Sequence, residues 1–508
     1  MLDLIGALGR IRTPDPLIRS QVLYPTELPA RTEAARYRCT TGFASFQLRK
    51  DEKMPFSSLY RPDPQFERLG GSFSDPVEAA NFPQAILRYR NERAARSVGL
   101  ESVDEDEWIR HFGWFSPLPD NMEQPRAMRY HGHQFRTYNP DLGDGRGFLF
   151  AQLRDDRDRL LDLGTKGSGQ TPYSRAGDGR LTLKGGVREV LAAALLEARG
   201  VNTSKAFSLI ETGEPLQRND EPSPTRSAVL VRLNHSHIRF GTFQRHAYHK
   251  DEEALRALVT HVGEHYLPEA TDAPSLLRLA IENSARLCGQ WMAAGFIHGV
   301  LNTDNMTVTG ESFDYGPFRF APAFDPGFTA AYFDHSGLYA FARQPEAVFW
   351  NCRALASTLV SISGEEALIE ALNGFGAAYS GGLRDAVFFR LGVLPTDDLE
   401  SDLDFVRETY SLLETSKSPW EPFFHKWFGG AARDATPEDF EEEWMTKIST
   451  FTPDRPERLG HTYFKNQATC DLLYDEIEEI WDAIDADDNW TPFERKLAEI
   501  ETVRQSYQ

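Results

Sequence analysis

Cysteine is scarce: there are four in 508 residues (Cys39, Cys288, Cys352 and Cys470), widely scattered and with no CxxC pair. That pattern excludes a disulfide framework and a zinc ribbon, and it suits a reducing compartment. Long apolar runs are missing too; none approaches the ~20 residues a membrane helix requires. Nor is there a basic excess. With a net charge of −21, the chain has no broad cationic surface to hold a nucleic-acid backbone. Tandem repeats, low-complexity tracts and a GxGxxG phosphate loop are all absent. What remains is a composition of 41% hydrophobic and 26% charged residues, ordinary for a globular protein. The length allows a large core and about two to four domains. A cytoplasmic protein of enzyme size, without membrane or nucleic-acid partners, is expected.

The first 53 residues stand apart. They carry nine Lys or Arg against six acidic residues, and prolines at 14, 16, 25 and 29 leave no amphipathic period. A disordered leader, or an over-extended start ahead of Met54-Pro55, is the expectation. Read as a transit peptide, which its arginines favour and its acids oppose, the same stretch points to the mitochondrion.

Beyond about residue 70, short strands and helices alternate. Residues 147–153 read as a strand, 155–159 as a charged turn, and 160–166 as a strand of period two. In the latter, Leu161, Leu163 and Thr165 face one way, and Asp162 and Lys166 the other. A helix over 187–199 carries the apolar stripe Val187, Val190, Leu191, Ala194, Leu195 and Ala198, and Gly200 stops it. Residues 227–233 form another strand. The second half is more helical. Residues 275–294 show helical spacing, with Pro274 at the start and Gly295 at the end. Further helices are expected at 347–359, 365–372, 437–448 (Thr436 as N-cap, Pro437 first) and 471–484.

The helix ending at Gly295 runs into His298-Gly299-Val300-Leu301-Asn302-Thr303-Asp304-Asn305, with Asp314-Tyr315-Gly316 nine residues after Asn305. This is the spacing of a kinase-type catalytic loop and its metal-binding triplet. The position of the usual proton acceptor is filled by Val300, which accepts nothing. Asp304 is the only carboxylate in the loop and becomes the candidate base. Asn305 and Asp314 are hard oxygen donors suited to Mg²⁺, with Mn²⁺ as the alternative. Lys166 ends a strand, and Glu189 lies 23 residues on in the following helix. Together they match the phosphate-bridging Lys and its helical partner. Gly-Asp-Gly-Arg occurs twice, at Gly143–Arg146 and Gly177–Arg180. Glycines allow close backbone approach to phosphate and arginine supplies a fork. Arg232 and Arg239 add two cations on consecutive strand-like segments. The pairs His131/His133 and His235/His237 read as structural hydrogen-bonding residues rather than metal ligands.

These motifs resemble the selenoprotein O family of kinase-like protein adenylyltransferases. The resemblance spans about residues 70 to 380. It rests on Gly132-His133-Gln134-Phe135, Leu142 to Arg146, Lys166 to Arg175, Gly177 to Arg180, Arg239 to Phe243, His298 to Met306 and Asp314 to Phe318. It implies an α+β, two-lobed protein-kinase-like fold, with a strand-rich N-lobe, a helical C-lobe and a C-terminal helical extension. The expected boundaries are a leader at 1–53, an N-terminal region and N-lobe at 54–225, a C-lobe at 226–440 and an extension at 441–508. It also implies ATP bound in a flipped orientation, so that AMP passes to protein Ser, Thr or Tyr hydroxyls. By resemblance Gly143, Gly145, Arg146, Lys166, Asp178, Gly179, Arg232, Arg239 and Asp314 contact nucleotide. Asn305 and Asp314 take the metal, Asp304 accepts the proton, and Lys166 with Glu189 completes the catalytic set.

Two departures stand out. The family often carries a C-terminal selenocysteine or cysteine motif, whereas this chain ends Arg504-Gln505-Ser506-Tyr507-Gln508. Some members also place a cysteine just after the Asp325-Pro326-Gly327-Phe328 segment, where this chain has Thr329-Ala330. Val300 motivates a competing reading as a catalytically silent nucleotide-binding scaffold. His298-Gly299 motivates another, a small-molecule phosphotransferase, which requires an Asp where Val300 stands.

Overall fold

The computed structural model describes residues 56–219, 221–432 and 442–508. The expected leader, Cys39, and the Thr436 cap with Pro437 lie outside them. Strands β1 (Ser74–Pro76) and β2 (Ile86–Arg90) precede two short helices, α1 (Glu92–Ser97) and α2 (Glu105–Phe112). Next come β3 (Arg126–Met128) and a small hairpin of β4 (Gly132–Gln134) and β5 (Thr137–Asn139). The strands β6 (Leu149–Arg154), β7 (Leu160–Lys166) and β8 (Leu181–Thr182) lead into helix α3 (Leu183–Ala198). The long pair β9 (Lys205–Leu216) and β10 (Thr225–Asn234) follows. One antiparallel sheet joins them in the order β1-β3-β6-β7-β10-β9-β2, with β8 beside β10. The expected boundary at 225/226 therefore falls at the first residues of a sheet strand.

Past β10 the chain is mainly helical: α4 (Phe240–Tyr248), α5 (Glu252–His265) and α6 (Ala273–Ala294). Two short paired strands follow, β11 (Phe296–Ile297) and β12 (Arg319–Phe320). Then come α7 (Gln344–Leu359), α8 (Glu365–Asn373), α9 (Phe375–Leu391), α10 (Leu399–Ser416) and α11 (Trp420–Trp427). The described chain closes with α12 (Glu442–Ile448), α13 (Thr462–Lys465), α14 (Tyr474–Asp487) and α15 (Thr491–Tyr507). The architecture is mixed α+β, an antiparallel sheet followed by a helical region. Local chemistry explains the boundaries. Helix α6 opens on a reciprocal cap between Asp272 and Ser275, with Pro274 in its first turn, and closes on Gly295 at φ 68°.

Strand β7 is buried on both faces and has no solvent side. Leu161 and Leu163 join one apolar cluster and Leu160 the other. Asp162, on the face opposite Leu161, is buried but accepts hydrogen bonds from Gln152 (2.7 Å), Tyr266 (2.8 Å) and the His237 backbone (2.7 Å). Helix α3 is likewise buried on nearly all sides, because α15 packs back against it. Its expected stripe is buried except for half-buried Ala194, but Ala192, Ala193 and Leu196 are buried as well. Arg239 joins no ladder of the sheet; its extended backbone makes a single antiparallel bridge with Thr307 and serves as the N-cap of α4.

Candidate active site

The β7–β10 register builds the cationic centre. Lys166 pairs with Leu230, and Gly164 with Arg232. Residues two apart share a face, so Lys166 and Arg232 lie diagonally on one side of the sheet. Lys166 Nζ donates to Glu189 on α3 and to Asp314. Arg232 Nη1 stands 3.5 Å from Asp314 Oδ1 and 3.9 Å from Glu189 Oε2. Burial alone would raise the Asp314 carboxyl, but Lys166, Arg232, Arg239 and Arg146 overcome it and hold the group well below the usual range.

The loop after α6 supplies the opposite wall. His298 is fully buried; its Nε2 donates to the Phe313 carbonyl at 3.0 Å, tying the loop to the segment that carries Asp314. Thr303–Asn305 form one 3₁₀ turn. Asn305 Nδ2 donates to the Val300 carbonyl at 3.0 Å, so the backbone at the valine orients the amide. Asp304 is 8% exposed, and its Oδ1 has no hydrogen-bond partner among the described residues. Burial, opposed by Arg239, pushes its carboxyl up to about 6. The hairpin β4–β5 presses on it: a Cβ at Gly132 would sit 3.0 Å from Asp304 Oδ1.

Arg239 clamps two loops. It donates to the Asp304 carbonyl at 2.7 Å and lies 3.3 Å from Asp144. Its guanidinium is sandwiched between the rings of Tyr130 (4.6 Å) and Phe313 (4.8 Å). Gly143 and Gly145 also reach the site, and their missing side chains make room for the protein's own Tyr173. A Cβ on Gly143 would fall 2.3 Å from that ring.

These groups line one cavity of about 650 Å³, a size suited to a nucleotide-scale ligand. It receives Gly143, Gly145, Arg146, Lys166, Asp178, Gly179, Arg232, Arg239, Asp304 and Asp314. Glu189 reaches it through Lys166. Asn305 is not among its lining residues. Seven cations and four carboxylates line it, an inversion of the chain's overall charge.

A family model described as "Protein adenylyltransferase SelO" matches residues 57–501. This chain belongs to the SelO family. Among its relatives, the "Protein nucleotidyltransferase YdiU" of Synechocystis sp. is 44% identical over 477 residues, covering 88% of this chain and 99% of the relative. That of Synechococcus elongatus is 44% identical over 470 residues, covering 86% and 94%. That of Pseudomonas putida is 38% identical over 382 residues, covering 73% and 76%. The chain is thus an enzyme of the nucleotidyltransferase class.

Three features of this SelO-family site escape sequence reasoning. Arg175 and Arg218 line the cavity beside the second Gly-Asp-Gly-Arg, and Asp178 is paired to Arg218 at 2.8 Å. Arg175 lies inside the quoted run from Lys166, which is the one signal available; Arg218 gives none. The Arg239–Asp144 pair spans 95 positions and is invisible locally. The first histidine pair behaves as expected: His131 bonds Tyr138 at 2.8 Å and Arg245 at 2.9 Å, and His133 bonds Gln244 at 2.7 Å. In the second pair the backbone does the bonding, His235 N to Glu311 and His237 N to Asp162, each at 2.7 Å, and neither ring nitrogen of His237 has a hydrogen-bond partner among the described residues. No group of three or more His, Cys, Asp or Glu among the described residues forms a metal cage. Asp314 and Asn305 both offer side-chain oxygens, the donor type that suits Mg²⁺, which binds through few protein oxygens plus phosphates and water. No helix among the described residues is long and apolar enough to cross a membrane.

Proposed function

We propose that this chain transfers AMP from ATP to Ser, Thr or Tyr hydroxyls of proteins and releases diphosphate. The sheet region with α3 and the helical region after β10 act as the two lobes of a kinase-like fold, with nucleotide between them and the last helices as an extension. The observation that carries the reading is Asp304: a buried carboxylate, one oxygen unpartnered, facing a cavity of seven cations. Such a group is poised to take a proton beside bound phosphates.

In this reading the acceptor hydroxyl oxygen bonds the α-phosphorus while the bond from that phosphorus to the bridging oxygen breaks. Asp304 takes the hydroxyl proton, and diphosphate leaves with the bonding pair. Lys166, held by Glu189, steadies the phosphates. Gly143, Gly145, Arg146, Asp178 with its Arg218, Gly179, Arg232 and Arg239 form the nucleotide wall, and the arginines hold the far end of an inverted triphosphate. Asn305 and Asp314 would hold Mg²⁺, which when bound neutralises phosphate charge. Val300 leaves no acceptor for ordinary γ-transfer, which disfavours a phosphotransferase. The retained Lys166, Glu189, Asp304 and Asp314 disfavour a silent scaffold. Mass spectrometry after incubation with Mg·ATP tests this. An added AMP mass on a hydroxyl side chain, with diphosphate released, is expected; an added phosphate mass would contradict it.

A further inference from the structure

Tyr332 and Phe333 are 79% and 42% exposed. Among the described residues they are the only sequence neighbours in the set of exposed large apolar side chains. Their rings meet edge to face at 5.1 Å. Phe333 packs on half-buried Phe135 at 5.8 Å, and Phe135 on buried Tyr339 at 5.0 Å, so the exposed pair is anchored by an aromatic row running into the core.

The loop that presents this pair is built, not loose. Asp334 accepts from the backbone of Leu338 (2.9 Å) and Tyr339 (2.8 Å). Phe341 N donates to the Phe328 carbonyl at 2.9 Å, and Ala342 N to that of Pro326 at 3.1 Å. These bonds fix the backbone on either side of the exposed pair.

The surface joins the catalytic loop through one residue. Asn302 Oδ1 accepts from Phe135 N at 3.1 Å and from Tyr339 Oη at 2.9 Å, two positions before Asp304. The same hairpin contributes Gln134 to the cavity lining and Gly132 to the Asp304 contact. A polypeptide whose hydroxyl reaches Asp304 must leave the cavity along some face, and this apolar pair packs on Phe135, the hairpin residue next to the cavity-lining Gln134.

We propose that Tyr332 and Phe333 dock the protein substrate, receiving an apolar or aromatic side chain that flanks the acceptor hydroxyl. This rests on the adenylyl-transfer reading above. Large aromatics that become buried on association carry a disproportionate share of binding energy, and removing one or two costs about tenfold or more in affinity.

The test uses the full chain, α-³²P-ATP with Mg²⁺, and three synthetic peptides, each with one Ser, one Thr and one Tyr. Their flanks are Leu-Phe, Glu-Glu or Lys-Lys. The Leu-Phe peptide is expected to be used about tenfold more efficiently than the others. Tyr332→Ser/Phe333→Ser should erase that preference and leave the KM for ATP within about twofold. If the double variant does not fold, Tyr332→Ser alone, at a side chain that packs on little, should lose most of it. Equal use of all peptides by the wild type overturns the proposal, as does a preference that survives both variants. So does label in the protein itself but in no peptide. Self-association lost in the variants while the preference stays would reassign the surface to a second copy. Wild-type protein that incorporates no α-label anywhere defeats the adenylyl-transfer reading itself, a result distinct from a lost preference.

Discussion

Asp314 is the residue where the site's electrostatics converge. Lys166 and Arg232 both reach its Oδ1, and Glu189 neutralises the other side of the lysine. In the absence of nucleotide the cations thus hold one another's counter-ions, and incoming phosphates can displace carboxylates rather than water alone. Lys166→Met removes the cation that bridges Glu189 and Asp314. Turnover should fall by at least about 10²-fold, measured as diphosphate release at saturating ATP; near-normal turnover would remove Lys166 from the chemistry. Gly132→Ala is a subtler probe. The added methyl would stand 3.0 Å from Asp304 Oδ1 and 3.1 Å from Leu142, closer than such contacts settle. Turnover should drop by about tenfold while Tm moves by only a few degrees. A drop in Tm without loss of turnover would mean that the hairpin, not Asp304, absorbs the strain.

At the scale of elements, α3 is the part that everything else positions. It carries Glu189, packs on the sheet, is backed by α15, and is joined to α14 by Lys184 and Glu478 at 2.7 Å. Just past its end, Arg199 is buried and contacts Glu421 (3.0 Å) and Asp471 (3.2 Å); Arg390 and Tyr463 also bind Glu421. Glu421→Ala would leave two buried guanidiniums without their shared carboxylate. A loss of about 3–5 kcal/mol is expected from denaturant unfolding; a loss under ~1 kcal/mol would show that the arginines relax to other partners. This arrangement also explains what the sequence conceals. Lys166 at a strand end, Glu189 on the next helix and the His298–Asn305 loop were legible, because each is a local pattern at short spacing. The all-round burial of α3 was not, since its outer face is covered by α15, some 300 residues later. Arg239 is extended as its segment suggests, but its partners, Thr307 and the Asp304 carbonyl, lie far along the chain and the residues after it turn helical. Asn305 carries the expected spacing, yet its side chain is held by the Val300 backbone and does not line the cavity.

For the molecule as a whole, charge and burial give two measurable consequences. Burial lowers the histidines at 131 (to about 3) and at 133, 235, 246 and 261 (each to about 4). Each is neutral when folded but protonates near pH 6.5 when unfolded. Their stabilising contribution is therefore complete above pH 6.5 and lost as pH falls toward the folded values. Stability should decline on acidification from pH 7 to 5, by up to about 1.4 kcal/mol per pH unit for each histidine. Thermal unfolding across that range checks it, and an unchanged or rising Tm would contradict it. The second consequence is functional. An acidic chain gathers seven cations in one cavity, and in the proposed reaction Asp304 takes the proton of the hydroxyl that attacks the α-phosphorus. The most direct measurement compares α-³²P-ATP with γ-³²P-ATP in the presence of Mg²⁺ and protein acceptors. The α-label should enter protein and the γ-label should leave as diphosphate, with Asp314→Ala abolishing incorporation and Asp304→Ala reducing it severely. Incorporation of the γ-label, sensitive to the same two substitutions, would make the enzyme a kinase and contradict adenylyl transfer.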